Sequence, residues 1–148
     1  MQSILYKKQI IMFIVMVVIG MTLNPMNILA YRIVDIYIST TLFYGGLLMA
    51  SNMIWAHEIV HYLSMGHFNI IVFFIGIILS VIVSILLLRK QLLVDDKQWL
   101  RRMISHHSTA LTTSHKILNK TNNSKIKKLA NKIIITQEEE IKLMKSML

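Results

Sequence analysis

The chain contains no cysteine, which removes disulfides, thiolate zinc sites, iron–sulfur clusters and a cysteine nucleophile. It also lacks a glycine-rich phosphate loop, a serine–histidine–acid arrangement and a nicotinamide fingerprint, so phosphoryl, acyl and hydride transfer have no familiar constellation to use. Acidic residues are scarce, seven against sixteen Lys and Arg, in a chain of 148 residues that is 55% hydrophobic with a formal charge of +9. Such a chain fits one small domain plus membrane segments better than a soluble enzyme of ordinary size. The charge is uneven. Residues 1–88 hold three Lys/Arg and two Asp/Glu, whereas residues 89–148 hold thirteen and five, so an apolar first part precedes a basic tail. Eleven methionines and six histidines are the compositional hint of chemistry.

Three stretches approach the about 20 apolar residues that a helix needs to cross a bilayer. They are residues 10–30, 36–56 and 68–88. The third carries only Asn69, Ser80 and Ser84 as strongly polar residues. The first is interrupted by Asn24, Pro25 and Asn27, where it is expected to end or kink. A cleaved signal peptide is disfavoured, because no clean small-x-small site follows the apolar run Ile10–Ile19. Ser39, Thr40, Thr41, Ser51 and Asn52 in the second stretch are expected to face neighbouring helices rather than lipid. The expected organisation is a multi-pass membrane domain over residues 1–90 and a separate domain over residues 91–148. Lys7 and Lys8 oppose Arg32, Arg89, Lys90, Lys97, Arg101 and Arg102 across the bilayer, and this count favours a cytoplasmic tail.

The tail reads as an antiparallel helical hairpin. Asp95 or Asp96 is a cap candidate ahead of Trp99, Leu100, Met103, His107, Ala110 or Leu111, Ser114 and Ile117, spaced three and four apart. The cluster Asn119–Ser124 forms the turn, and Ile126, Leu129, Ile133, Gln137, Ile141, Met144 and Leu148 continue the same period. Centring the turn near Thr121 puts His106 and His107 at nearly the height of Gln137. At about 100° per residue, Met103, His106, His107 and Ala110 share one arc, and Gln137, Glu140, Ile141 and Met144 share another. Two arcs that should form a dry seam thus carry Met103, His106, His107, Gln137, Glu140 and Met144. Buried imidazoles and carboxylates need partners or a bound ion. Thioethers with imidazoles suit copper, especially Cu(I), while calcium or magnesium would want more carboxylates. The competing reading is a hydrogen-bonded seam with methionine as gap filler. A di-iron centre is disfavoured, since it needs several inward carboxylates.

The run Val94–Ser108, followed by Leu129-Ala130, Ile133-Ile134 and Gln137-x-x-Glu140-Ile141-x-x-Met144, resembles the bacterial family called domain of unknown function 305. The apolar part looks like the three-helix, membrane-anchored branch of that family through Leu23-Asn24, Asp35–Thr41 and Met49-x-x-x-Met53. The resemblance implies ferritin-like helical packing, an exported hairpin, a bacterial inner-membrane location and, for some members, a part in copper binding or resistance. Two positions depart from the pattern: Ser105 stands where the family usually has proline, and Asn123-Ser124 replaces Asp-Pro.

His57-Glu58-Ile59-Val60-His61 matches H-E-x-x-H, with His67 where a third ligand would fall and Ser64 in place of a glycine. Its mechanism would place zinc on His57 and His61 with Glu58 as base. Its position at the end of a membrane helix, ahead of a loop of about ten residues, leaves no substrate cleft, so it is expected to be incidental. The same residues extend a ladder, Met49, Met53, His57, His61 and Met65, along one face of the second helix at i, i+4 spacing. The ladder is either packing or a second set of soft donors. Lys116, Lys120, Lys125, Lys127, Lys128 and Lys132 surround the hairpin turn without interleaved aromatics and read as a solvated basic face, with no nucleic-acid partner expected.

The expected fold is therefore all-α: three transmembrane helices, then a hairpin of about 50 residues that is too small to bury a sufficient core alone. A homodimer with a four-helix bundle would satisfy it. The expected function is a non-enzymatic, membrane-anchored metal-binding or copper-homeostasis protein, with zinc as the alternative ion. The rivals are an interaction module with a polar seam and a membrane zinc metalloprotease.

Overall fold

The computed structural model describes residues 2–148, with side chains from Tyr6 onward. Among them every regular element is helical: α1 (Gln2–Thr22), the single turn α2 (Pro25–Ile28), a 3₁₀ turn (Ile33–Asp35), α3 (Thr40–Met65), α4 (Ile70–Ile82) continued by a π-helix (Val83–Arg89), α5 (Asp96–Lys120) and α6 (Ser124–Ser146). The chain is all-α. It divides into two compact units, one formed by α1 with Thr40–Leu93, the other by Leu23–Ser39 with Val94–Leu148.

In the first unit, α3 packs against α1 on one side and α4 on the other. The contacts are close because glycine stands at each crossing. A Cβ on Gly46 would lie 2.7 Å from the Val17 carbonyl oxygen, and one on Gly76 would lie 2.8 Å from the Trp55 nitrogen. Small residues that let backbones approach are the usual means of joining helices in lipid. Of the three expected spans, length and composition support two. Two stretches, Tyr6–Ile28 and Ile70–Arg89, are long and apolar enough to cross a membrane, and α3 is not. The reason is composition: Ser51, Asn52, His57, Glu58 and His61 all fall inside α3. Only 6% of the first apolar stretch and 17% of the second is buried within the protein, so their surfaces need cover from outside the chain. The first apolar run breaks where Asn24 and Pro25 predict. α1 ends at Thr22, and the Asn24 side chain accepts from the Asn27 N–H at 3.1 Å to cap α2.

The second unit is the hairpin with a strap laid across it. Asp95 caps α5 by accepting from the Gln98 N–H at 2.7 Å. Asn123 caps α6, its side chain accepting from the N–H groups of Lys125 and Ile126. Leu100, Ile104, Leu111, Ile141 and Met144 form the core, with Tyr37, Met103 and Ile134 packed on it. Tyr37 belongs to the strap, residues 23–39, which carries no helical period. Its backbone polar groups find partners on α5. Ser105 Oγ donates to the Asp35 carbonyl at 2.8 Å and accepts from the Tyr37 N–H at 3.1 Å. Ser108 Oγ donates to Asp35 Oδ2 at 2.8 Å and accepts from the Tyr31 N–H at 2.9 Å. Thr109 Oγ1 donates to the Met26 carbonyl at 3.1 Å. A proline at position 105 could make neither Ser105 bond.

Candidate functional site

Four of the six hairpin candidates share one cleft. Met103 and His107 from α5 and Glu140 and Met144 from α6 line a cavity of about 450 Å³, together with Trp99, Leu100, Leu143 and Met147. Met144 is buried and Met103 half-buried. The remaining two stand apart from it. His106 is exposed, since the α5 face one step before His107 turns away from the seam. Gln137 is not among the lining residues; its Nε2 donates to Glu140 Oε2 at 3.3 Å. The α6 side chain that faces His107 is Glu140.

The imidazole of His107 is the unusual group. Its side chain is 13% exposed, and its Nδ1 lies 3.0 Å from Glu140 Oε2. Glu140 is thus the acidic group that faces this nitrogen from α6. Burial holds the His107 pKa below its ordinary 6.5; Glu140 opposes the shift and neighbouring His106 adds to it. Neutral imidazole is therefore the favoured state at neutral pH, and that is the state with a lone pair to give. The linkage has a definite sign. Because the folded value is lowered, the stability this group contributes is present above 6.5 and declines as pH falls from there through the folded value. Unfolding midpoints of the full chain should fall more between pH 7.5 and 5 than those of His107→Gln. Parallel pH profiles would refute the assignment.

Two sulfur atoms lay outside the expected set. Met147 enters the cleft from the residue that caps the end of α6, where the period Ile141, Met144, Leu148 passed it by. The other, Met26, is in the strap and accepts a hydrogen bond from Arg102 Nη1. The strap itself was also missed as part of this unit. Asp35 is fully buried, and its Oδ1 lies 2.5 Å from Lys145 Nζ near the end of α6. Arg32 and Glu138 pair at 2.8 Å, and Tyr31 stacks on His115 with ring centroids 4.9 Å apart. The available signal was Asp35 itself, an acidic residue in a mostly apolar run.

The H-E-x-x-H residues lie on the last turns of α3. His57 and His61 open with His67 and Tyr6 onto a second cavity of about 450 Å³. Glu58 is buried, and both its oxygens are engaged: Gln9 Nε2 donates to Oε1 at 3.1 Å and the Asn69 N–H donates to Oε2 at 3.0 Å. A carboxylate so committed ties α1 to α3 and to the start of α4. Each oxygen accepts one of these hydrogen bonds, which fixes the orientation of the carboxylate at the wall of the cavity. Of the ladder, His57 and His61 line this cavity, while Met49, Met53 and Met65 do not; Met65 is exposed. Among the described residues no three His, Asp or Glu side chains stand in ready-made metal-holding positions.

A family profile described as Domain of unknown function (DUF305) matches residues 88–148. Uncharacterized protein L153 of Acanthamoeba polyphaga mimivirus is 39% identical over 127 residues, which cover 85% of this chain and 82% of that protein. That span is longer than the hairpin, so the likeness includes apolar sequence ahead of it. No solved structure matches.

Proposed function

This chain belongs to the family described as Domain of unknown function (DUF305), and from that membership and the hairpin cleft we propose that it is a membrane-anchored protein binding a soft metal ion, copper foremost. The observation that carries the reading is the largely buried His107 imidazole, held below its ordinary pKa and facing Glu140 at 3.0 Å, in a cleft lined by the thioethers of Met103, Met144 and Met147. These donors fit the group: thioether sulfur and neutral imidazole favour Cu(I), and zinc is the alternative for the imidazole and Glu140. His107, Met103 and Met144 would hold the ion, with Met147 at the mouth of the cleft. The bound ion would supply Lewis acidity and, for copper, a one-electron couple. The chain's own part is to hold the imidazole neutral, present sulfur at the seam and shield one side of the cleft from water.

The membrane anchor has the three helices α1, α3 and α4, in the manner of the membrane-anchored branch that the chain resembles. α3 is the least apolar, and its polar Ser51 and Glu58 are buried within the unit rather than facing outward, the arrangement that lets such a helix cross lipid. A bacterial inner membrane is the location that the resemblance implies. The hairpin is proposed to dimerise, because Trp99, Leu129, Leu143 and Met147 remain exposed on it and a second copy would cover them and add its own His106 and Met103. A monomeric mass in mild detergent would exclude the dimer.

Titration of the full chain in detergent with Cu(I), against a competing chelator under reducing conditions, tests the function. Wild type should bind, and His107→Leu combined with Met144→Leu should weaken binding by roughly 10–100-fold or more, since loss of outer partners alone has effects on that scale. A wild type that leaves the chelator loaded would sink the metal reading and leave an interaction module.

A further inference from the structure

The histidines at the end of α3 form a group independent of the hairpin cleft. His57 and His61 stand one turn apart on the same face. Gly66, at φ +71°, ends the helix with its N–H donating to the Tyr62 carbonyl at 2.9 Å. That left-handed residue turns the chain so that His67 returns over His61, a geometry that glycine adopts without strain. The three rings form a nearly parallel column. Centroids are 6.0 Å apart for His57 and His61 at 15°, and 6.3 Å apart for His61 and His67 at 17°. One edge of the column opens onto the cavity that Tyr6, Phe68 and Asn69 also line.

The protonation chemistry of the column suits a ligand set. His61 Nδ1 lies 3.0 Å from the His67 carbonyl oxygen. A carbonyl only accepts, so Nδ1 carries the proton and Nε2 keeps its lone pair, as in most metal-bound histidines. His57 Nδ1 is buried without a hydrogen-bonding partner, 4.0 Å from Glu58 Oε1. Glu58, fixed by Gln9 and Asn69, is thus a stationary acidic side chain beside three imidazoles, with no Lys or Arg among the cavity's lining residues.

We propose that His57, His61 and His67 form a binding site for a borderline divalent cation of the zinc type, with the buried Glu58 beside it as an outer carboxylate rather than a general base. Three nitrogen donors with one position left to water is a common zinc arrangement. The rings stand stacked rather than convergent, so binding rotates them about their side-chain bonds into the cavity while the backbone turn at Gly66 stays in place. The H-E-x-x-H spacing then supplies two of the ligands, and Glu58, held by Gln9 and Asn69, fixes the acidic wall of the site.

Cobalt(II), whose visible spectrum reports coordination number, is the probe. The full chain in detergent is titrated in a His107→Leu background, which removes the hairpin imidazole and makes the outcome independent of the copper reading. One equivalent should bind with the intense bands of a four- or five-coordinate ion and be displaced by zinc. His67→Ala, in an exposed turn, should weaken binding by about tenfold or more with unchanged helix content, and His61→Ala should abolish the bands. Glu58→Gln should retain the stoichiometry. Absence of bands in the His107→Leu protein, or His67→Ala and His61→Ala binding cobalt as the parent does, would overturn the site.

Discussion

Replacing Lys145 by methionine is expected to destabilise the hairpin unit by roughly 3–5 kcal/mol, the scale for breaking a buried ion pair from one side. The carboxylate of Asp35 is wholly buried, with Lys145 Nζ at 2.5 Å from Oδ1 and Ser108 Oγ at 2.8 Å from Oδ2. Methionine keeps most of the volume and removes the counter-charge, so an uncompensated carboxylate stays inside. The reverse change is milder. Asp35→Asn retains an acceptor for Ser108, and Lys145, 31% exposed along its side chain, is free to extend into water. Hydrogen exchange of α5 and α6 in the full chain, with denaturation midpoints, measures both. Equal losses for the two variants would show that the pair is not the anchor of the strap.

Gly46→Leu is expected to cost about 3 kcal/mol or more, at or beyond the upper end for overpacking. The obstacle is backbone. A Cβ at Gly46 would meet the Val17 carbonyl oxygen at 2.7 Å and Met21 Cγ at 3.1 Å, so α1 and α3 must separate. Gly45→Leu is the control, because a Cβ there has nothing within 4 Å. Thermal unfolding in one detergent should lower the midpoint for position 46 and leave position 45 near wild type. The Gln9–Glu58 hydrogen bond joins the same two helices, so cobalt binding at His57 and His61 should weaken along with packing at position 46. Indistinguishable midpoints for the two leucine variants would refute the close crossing.

Much of this was legible from residue order, and the physical reason is range. Caps, turns and helical period depend on neighbours within four or so positions, so Asp95, Asn123 and the interruption at Asn24-Pro25 declared themselves. So did the face that brings Met103 and His107 toward Glu140 and Met144, and the trio His57, His61 and His67. Hydropathy is additive along a window, so two apolar stretches were plain, while α3, with its polar residues, falls below the same measure. A helix that shelters its polar groups against neighbours differs from a lipid-facing one only after packing.

What sequence alone determined is an all-helical chain with an apolar portion, a capped hairpin and a seam that brings methionines together with a histidine. Tertiary structure decided the rest. The Asp35–Lys145 pair spans 110 positions, and the strap has no periodicity, so Asp35 marked itself as an acid among apolar residues while its partner was not legible. Which of two adjacent glycines lies at a helix crossing, whether His106 or His107 turns inward, and whether Glu58 is a free base or a buried tie all depend on helix rotation and offset. Those quantities are set by contacts between segments remote in the chain, where a shift of one residue, about 100° around a helix, exchanges inside for outside.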